Sequence, residues 1–350
     1  MRHTNNFNLL RLAAALMVII SHSFGIFNKG TEQPMCWIGN RQIIGSSLGV
    51  FIFFAISGYL VMQSLQRVST NRQYLLNRAL RIFPALIVCN IMCVVLLGLF
   101  FGSLPFTRYL LRADTWGYLW YNTALYRNQF YLPGVFGSLK PANDINASIW
   151  TLTPEVLLYI LLLIFSLFKL FKSTVFAAVS FVLFMVCCSL LHDQSFNGWP
   201  LDYYISFSMF FFQGAALHLF RKYISFRWYW VLPAALLIYF IPDAWVKWML
   251  FTLLVSYVVI YIGNKKQLIS LKGFDVSYGL YIYAYPVQQI LLILMGAAIA
   301  PWFHAGLTVV CTLPFAFASW IFIEKPALSL KKNNFFFSIK NFMNPTELLL

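Results

Sequence analysis

Apolar runs of membrane length recur along this chain, each closed off by charges or turn residues, and that repetition restricts the fold more than any motif does. The runs lie near 7–27, 46–64, 80–103, 147–170 and 174–192, then near 205–222, 226–242, 245–263, 273–297 and 301–323. About 20 apolar residues in a helix cross the ~30 Å hydrocarbon layer of a bilayer. A helix of that kind satisfies its own backbone where no water can. The expectation is therefore an all-α integral membrane protein, a bundle of about ten transmembrane helices. The segment 104–125, with its Trp and Tyr cluster, reads as a loop, an interfacial piece or a re-entrant piece.

Composition removes the competing classes. The chain is 61% hydrophobic and 10% charged, whereas water-soluble domains run about half apolar and a quarter charged. Disordered chains and disulfide scaffolds do not carry 36 Phe, 19 Tyr and 11 Trp beside so few charges. A net charge of +15 would suggest nucleic acid in a soluble protein, but here the cations sort by side. With the N-terminus inside, most Lys and Arg fall in inner segments, among them Arg67, Arg78, Arg81, Arg221, Lys265 and Lys331. An even number of spans with both termini cytoplasmic follows, with membrane lipid and not nucleic acid as the surroundings. The first run is too long for a cleaved leader and is read as a span. Residues 1–330 read as one transmembrane domain and 331–350 as a short basic cytoplasmic tail. Five cysteines fall inside runs and Cys36 stands alone, so no metal-ligand spacing is present and no metal is expected.

Polar groups inside the runs narrow the candidates, because a charge at the centre of a membrane helix costs at least ~2.5–3.5 kcal/mol. Of the acidic residues, only Glu155 falls well inside a run. Arg11 and His22 share the first one. Eleven steps of ~100° total about 1100°, within ~20° of whole turns, so the two side chains share one stripe roughly 16 Å apart along the axis. That suits a long ligand entering from inside with its reactive end at the imidazole. It equally suits an arginine that reaches the inner headgroups and a histidine bonded to a neighbouring helix. Glu155, one residue after Pro154, either neutralises an arginine or orients an imidazole. Arg78 and Arg81, three apart, form a phosphate clamp if a helix begins there, and otherwise act as ordinary anchors. His3, His192, His218 and His304 read as terminal, loop or helix-end residues with no role.

A set of short motifs then appears in order along nearly the whole chain. It comprises the Arg11 and His22 pattern, Phe54-Ala55-Ile56-Ser57-Gly58-Tyr59, Arg78-Ala79-Leu80-Arg81 followed by Pro84, and Leu132-Pro133-Gly134-Val135-Phe136. Asn146-Ala147-Ser148-Ile149-Trp150-Thr151-Leu152 follows, leading to Glu155 and Tyr159, and then Ser277-Tyr278-Gly279-Leu280-Tyr281 and Glu324-Lys325-Pro326. In this order the chain resembles the acyltransferase 3 family of integral membrane acyltransferases. Two departures stand out: Ala147 replaces a glycine common in relatives, and Ala284 replaces a histidine.

The resemblance implies a membrane-bound O-acyltransferase of the cell membrane. Its donor would be acyl-CoA, acetyl-CoA first among them, reached from the cytoplasm. Its acceptor would be a hydroxyl of a cell-surface polysaccharide or a lipid-linked glycan precursor. His22, Glu155 and Arg11 are the expected catalytic residues, and Arg78, Arg81 and Arg11 the expected donor-binding residues. Asn146, Trp150 and Tyr159 are expected at the acceptor, since aromatic faces stack on sugar rings. Homo-oligomers and polysaccharide-assembly partners stay open. The rival reading is a transporter or exporter of glycan or lipid-linked precursors whose buried Arg, His and Glu line its path.

Overall fold

A computed structural model describes residues 5–34, 44–137, 144–192, 195–196, 199–266, 268–269 and 274–331. The expected basic tail after Lys331, together with Cys36 and His3, lies outside them. Among the described residues eight helices are long and apolar enough to cross a membrane: α1 (Phe7–Ile26), α2 (Gly45–Arg67), α3 (Asn71–Phe101), then α6 (Ile149–Leu167) and α7 (Thr174–Leu191). The others are α10 (Ala244–Asn264), α11 (Ser277–Met295) and α12 (Pro301–Ser329). The segment expected near 104–125 forms two short helices, α4 (Phe106–Leu110) and α5 (Ala113–Ala124), with Trp116 and Trp120 exposed.

The two remaining runs differ from the rest. α8 (Leu201–Leu219) has membrane length but carries Asp202, Gln213 and His218. α9 (Trp228–Phe240) is a short apolar helix, about 20 Å long at ~1.5 Å per residue, less than the hydrocarbon layer. Among the described residues two features depart from a purely helical chain: Ser195–Phe196 pairs antiparallel with Trp199–Pro200 ahead of α8, and Gly102 bridges Val135.

Local chemistry explains the boundaries. Thr70, Ser173 and Asp243 cap α3, α7 and α10 by accepting hydrogen bonds from Gln73, Phe176 and Val246 backbone N–H groups. The α3 helix starts several residues before the apolar run, because its first turns are polar and basic. The two α-helical parts of α12 are joined by a π turn at Trp320–Glu324.

At the centre, α2 and α8 approach closely enough for backbone to touch backbone. A Cβ on Gly58 would strike the Phe211 carbonyl, and one on Gly214 would strike the Ala55 carbonyl. Small residues allow this in membranes, where apolar burial supplies no force between helices. α1 and α10 flank that pair, and α7 and α9 lie at the rim with large apolar side chains turned outward, including Val175, Phe176, Leu190, Leu236 and Leu237. Phe51 and Phe54 of α2 stack on Phe210 and Phe207 of α8, which completes the core around the site.

Candidate active site

Three cavities follow α1 from one end of the bundle to the other. The first, about 320 Å³, lies at the end where α3 begins and α12 finishes, and is lined by Arg11, Arg78, Arg81, Glu155, Asp275 and Lys331 among others. The second is about 70 Å³ and holds His22 with Val18, Ala147, Trp150, Phe207 and Tyr281. The third, about 580 Å³, opens at the opposite end beside His22, Ser46, Asp144, Ala147 and Tyr285. Val50, Thr151 and Tyr281 line both the first and the second, while His22, Ser46 and Ala147 line both the second and the third. Arg11 and His22 thus occupy successive cavities along one helix stripe.

Charge in the first cavity is organised around Asp275. Its carboxylate accepts a hydrogen bond from Arg81 Nη2 at 2.7 Å, lies 3.5 Å from Arg11 Nη1, and accepts another from Ser277 Oγ at 2.6 Å. Burial pushes this carboxyl up, but Arg81 and Arg11 outweigh it and hold it down at about 2. Glu324, placed by the π turn, lies 3.8 Å from Arg81 and accepts from Ser319. Among the described residues no carboxylate pairs with Arg78, which bonds Ser64 Oγ at 3.3 Å and sits over the Tyr159 ring. Lys331 stands nearby, and burial together with Arg78 and Arg81 lowers it to about 7. Two cations, Arg78 and Lys331, therefore remain without a carboxylate partner there, a setting suited to an anionic ligand. No cluster with metal-binding composition occurs among the described residues.

Glu155 belongs to this first cavity and not to the histidine. It accepts hydrogen bonds from Tyr159 Oη at 2.5 Å and Ser57 Oγ at 2.9 Å, and Ser57 and Tyr159 are themselves 2.9 Å apart. Of the two readings its sequence allows, the structure favours neither an arginine salt bridge nor an imidazole contact. Tyr159, expected at the acceptor, sits with it in the arginine-lined cavity. His22 instead meets the edge of Tyr285, ring centroids 5.2 Å apart.

Asn146 has a structural engagement. Pro286 has no N–H, so it cannot bond the Ile282 carbonyl four residues back in α11. Asn146 Nδ2 donates to that carbonyl at 2.8 Å and Cys89 Sγ reaches it at 3.3 Å, while Asn146 Oδ1 accepts from Ser148 N–H. Asn146 lines none of the three cavities. Its neighbour Trp150 does line the second, held against Phe207 and Tyr203.

Sequence reasoning missed four residues. Asp275 and Glu324 sit at span ends, where acids look ordinary; Glu324 is nevertheless inside α12 and buried. Lys331 was indistinguishable from a tail lysine. His304, expected in a loop, lies within α12 and is fully buried. Its Nδ1 meets Ser23 Oγ and its Nε2 the Gln288 carbonyl, both at 3.0 Å, beside a Gln288 amide that donates to Ser23 and to the Ile19 carbonyl. This cluster grips α1 next to His22. Two signals were available: position 304 falls inside the run near 301–323, and Pro301 suits the first turn of a helix.

Comparison with known proteins identifies the family. An acyltransferase domain model, that of the acyltransferase 3 family, matches residues 4–321. An O-acetyl transferase of Shigella phage Sf6 is 30% identical over 94% of this chain and 97% of its own length. Nodulation protein 10 of Rhizobium leguminosarum bv. viciae is 28% identical over 94% of each chain. No solved structure matches.

Proposed function

The chain belongs to the acyltransferase 3 family and is an acyltransferase, and from that premise we propose that it moves an acetyl group from cytoplasmic acetyl-CoA to a hydroxyl of a cell-surface polysaccharide or its lipid-linked precursor. The reading places it in the cell membrane as one domain over 1–330, with about ten spans and both termini cytoplasmic. The arginine-lined cavity then faces the cytoplasm and the third cavity the outside. The name of the phage relative supports acetyl as the group and oxygen as its destination.

Arg78, Arg81 and Arg11 hold the donor's phosphates, with Lys331 beside them, and the pantetheine arm extends along α1 toward His22. The imidazole takes the proton of the acceptor hydroxyl as its oxygen attacks the thioester carbon. The C–O bond forms, the C–S bond breaks, and the proton passes to the departing sulfur, which leaves as the free thiol. Glu155 fixes Tyr159 and Ser57 along the donor's path. Trp150 lies on the acceptor side of that path. Asn146 acts as a positioning residue, by holding the 144–151 segment against α11.

One observation carries this reading: successive cavities share lining residues from Arg11 to His22 and on to the opposite end. The test is transfer of label from acetyl-CoA to envelope glycan in membranes carrying His22→Ala at matched protein level. Loss of the general base removes about 10²–10⁴-fold of the rate, and wild-type transfer overturns the mechanism.

A further inference from the structure

His22 meets the edge of Tyr285, ring centroids 5.2 Å apart, and among the described residues it has no hydrogen-bond partner. Its aim is therefore set by the helix that carries it. Side chains reach ~5–6 Å from a helix axis, so a rotation of about 10° carries an imidazole about 1 Å off target. A misplacement of that size lowers a rate by roughly 100-fold.

The grip on α1 comes from residues that line none of the three cavities. Ile19 and Ser23 stand one turn apart with His22 between them, and neither faces those spaces. Both hydrogens of the Gln288 amide on α11 go to this pair, one to the Ile19 carbonyl at 2.9 Å and one to Ser23 Oγ at 2.7 Å. His304 of α12 closes the cluster. A carbonyl only accepts, so His304 Nε2 carries the proton it donates to the Gln288 carbonyl, and Nδ1 accepts from the Ser23 hydroxyl, each at 3.0 Å. Gln288 Oε1 has no partner among the described residues, but turning the amide over would set that oxygen against the Ile19 carbonyl. The amide thus has one orientation. Ser23, Gln288 and His304 are fully buried, and hydrogen-bonded clusters in such surroundings hold a single arrangement.

We propose that His304, acting through Ser23 and Gln288, is a positioning residue that fixes the rotation of α1 and so aims the His22 imidazole at the reacting atoms. The inference rests on the general-base reading of His22 above and deepens it. The contacts fall on both sides of His22 within one turn, which fixes rotation and rise together. The other end of α1 is tied separately: Arg11 lies 3.5 Å from Asp275, and Asn6 Nδ2 donates to the Ile262 carbonyl at 3.0 Å. Loosening the His304 cluster therefore turns the end that carries His22 and leaves the donor arginines in place. A cluster that only stabilised the bundle would show no such division between the two ends.

The test reads kcat and KM for acetyl-CoA separately, as label transferred to envelope glycan in membranes carrying the full chain at matched protein level. Wild type, His22→Ala, His304→Leu, His304→Gln and Ser23→Ala are compared. His304→Leu is expected to lower kcat about 30- to 100-fold and to leave KM within about twofold. His304→Gln, whose amide keeps one donor and one acceptor, should return kcat to within about fivefold of wild type. Ser23→Ala, which removes a single oxygen, should lower kcat roughly tenfold with KM again unmoved, and it decides the matter if His304→Leu fails to accumulate. A kcat within about threefold of wild type in both His304→Leu and Ser23→Ala, a KM that rises in step with the loss, or a Gln variant no better than Leu overturns the positioning role. Wild-type transfer by His22→Ala, or no transfer by wild type, instead overturns the reading beneath it, and the positioning role falls with it.

Discussion

Replacing Asp275 with Asn tests the charge arrangement at the donor cavity, and its effect can be estimated from the geometry. The carboxylate is 8% exposed and lies 2.7 Å from Arg81 and 3.5 Å from Arg11. At an effective dielectric near 20, unit charges at those separations attract by about 6 and about 5 kcal/mol. Desolvation of the three ions offsets most of that gross figure, and removing one partner of a buried pair costs about 3–5 kcal/mol net. Each arginine keeps 19% of its side chain exposed and Arg81 keeps Glu324 at 3.8 Å, so a loss at or just below that range, about 2–3 kcal/mol, is expected. That is roughly 30- to 150-fold in the folded-to-unfolded ratio. Titration with SDS in mixed micelles, followed by circular dichroism, measures it. The same change frees Arg11 and leaves Arg81 only the more distant Glu324, so KM for acetyl-CoA should fall several-fold while stability drops. The sign with pH follows from the depressed carboxyl. Its stabilisation is present above the unfolded value near ~4 and is lost as pH falls through about 2, and the Asn variant lacks that acid-dependent part. Arg81→Met should cost at least ~1 kcal/mol less in the Asn background than in wild type, because the pair is coupled. An Asn variant within about 0.5 kcal/mol of wild type, additive with Arg81→Met, would refute the ion-pair account.

Two further outcomes follow from the same geometry. Lys331, lowered to about 7 by burial and by Arg78 and Arg81, carries its charge below that pH, so KM for acetyl-CoA should rise as pH passes upward through about 7. Lys331→Met should flatten that profile and Lys331→Arg should hold KM low throughout. Between about 7 and the unfolded lysine value near ~10.4 the unfolded chain binds the extra proton, so donor-free stability rises with pH over that window, and a falling stability would contradict the assignment. Gly58→Ala places a methyl against the Phe211 carbonyl, backbone that no rotamer change can move, and should cost about 2–3 kcal/mol. Gly25→Ala meets nothing within 4 Å and should be neutral or stabilising by up to about 1 kcal/mol; equal thermal shifts for the two in detergent would refute the close α2–α8 contact.

What could be read from the sequence was whatever a single helix determines. Helical phase alone put Arg11 and His22 on one stripe, and both line cavities. Arg78 and Arg81 share a face because α3 begins before them, at Asn71. The rest depended on which helices meet. Asp275 acquires its meaning from Arg11 on α1 and Arg81 on α3, far apart in sequence and unrelated by any spacing rule. Glu155 was ambiguous between arginine and imidazole, since neither partner lies on its own helix; its closest partner, Tyr159, is one turn along α6. Asn146 resembled a sugar-binding amide, but Pro286 in a distant helix left an unpaired carbonyl that claims it. A proline inside a run is itself a sequence signal of such an orphan, and looking four residues back from it identifies the acceptor.

The placement of Glu155 bears on how the transfer handles charge. Every arginine of the site lies in the first cavity, and among the described lining residues the 70 Å³ cavity holds no carboxylate to balance a protonated His22. An imidazolium left there would be a desolvated ion without a partner, which a low-dielectric site penalises heavily. The proton is therefore best passed straight from the acceptor hydroxyl to the departing sulfur, with the imidazole charged only while both bonds are changing. The carboxyl that does share a cavity with His22 is Asp144, in the third cavity, and burial raises its pKa. A group that holds its proton more readily than usual is a weak counter-charge for an imidazolium, so the short-lived charged state is the one this geometry accommodates.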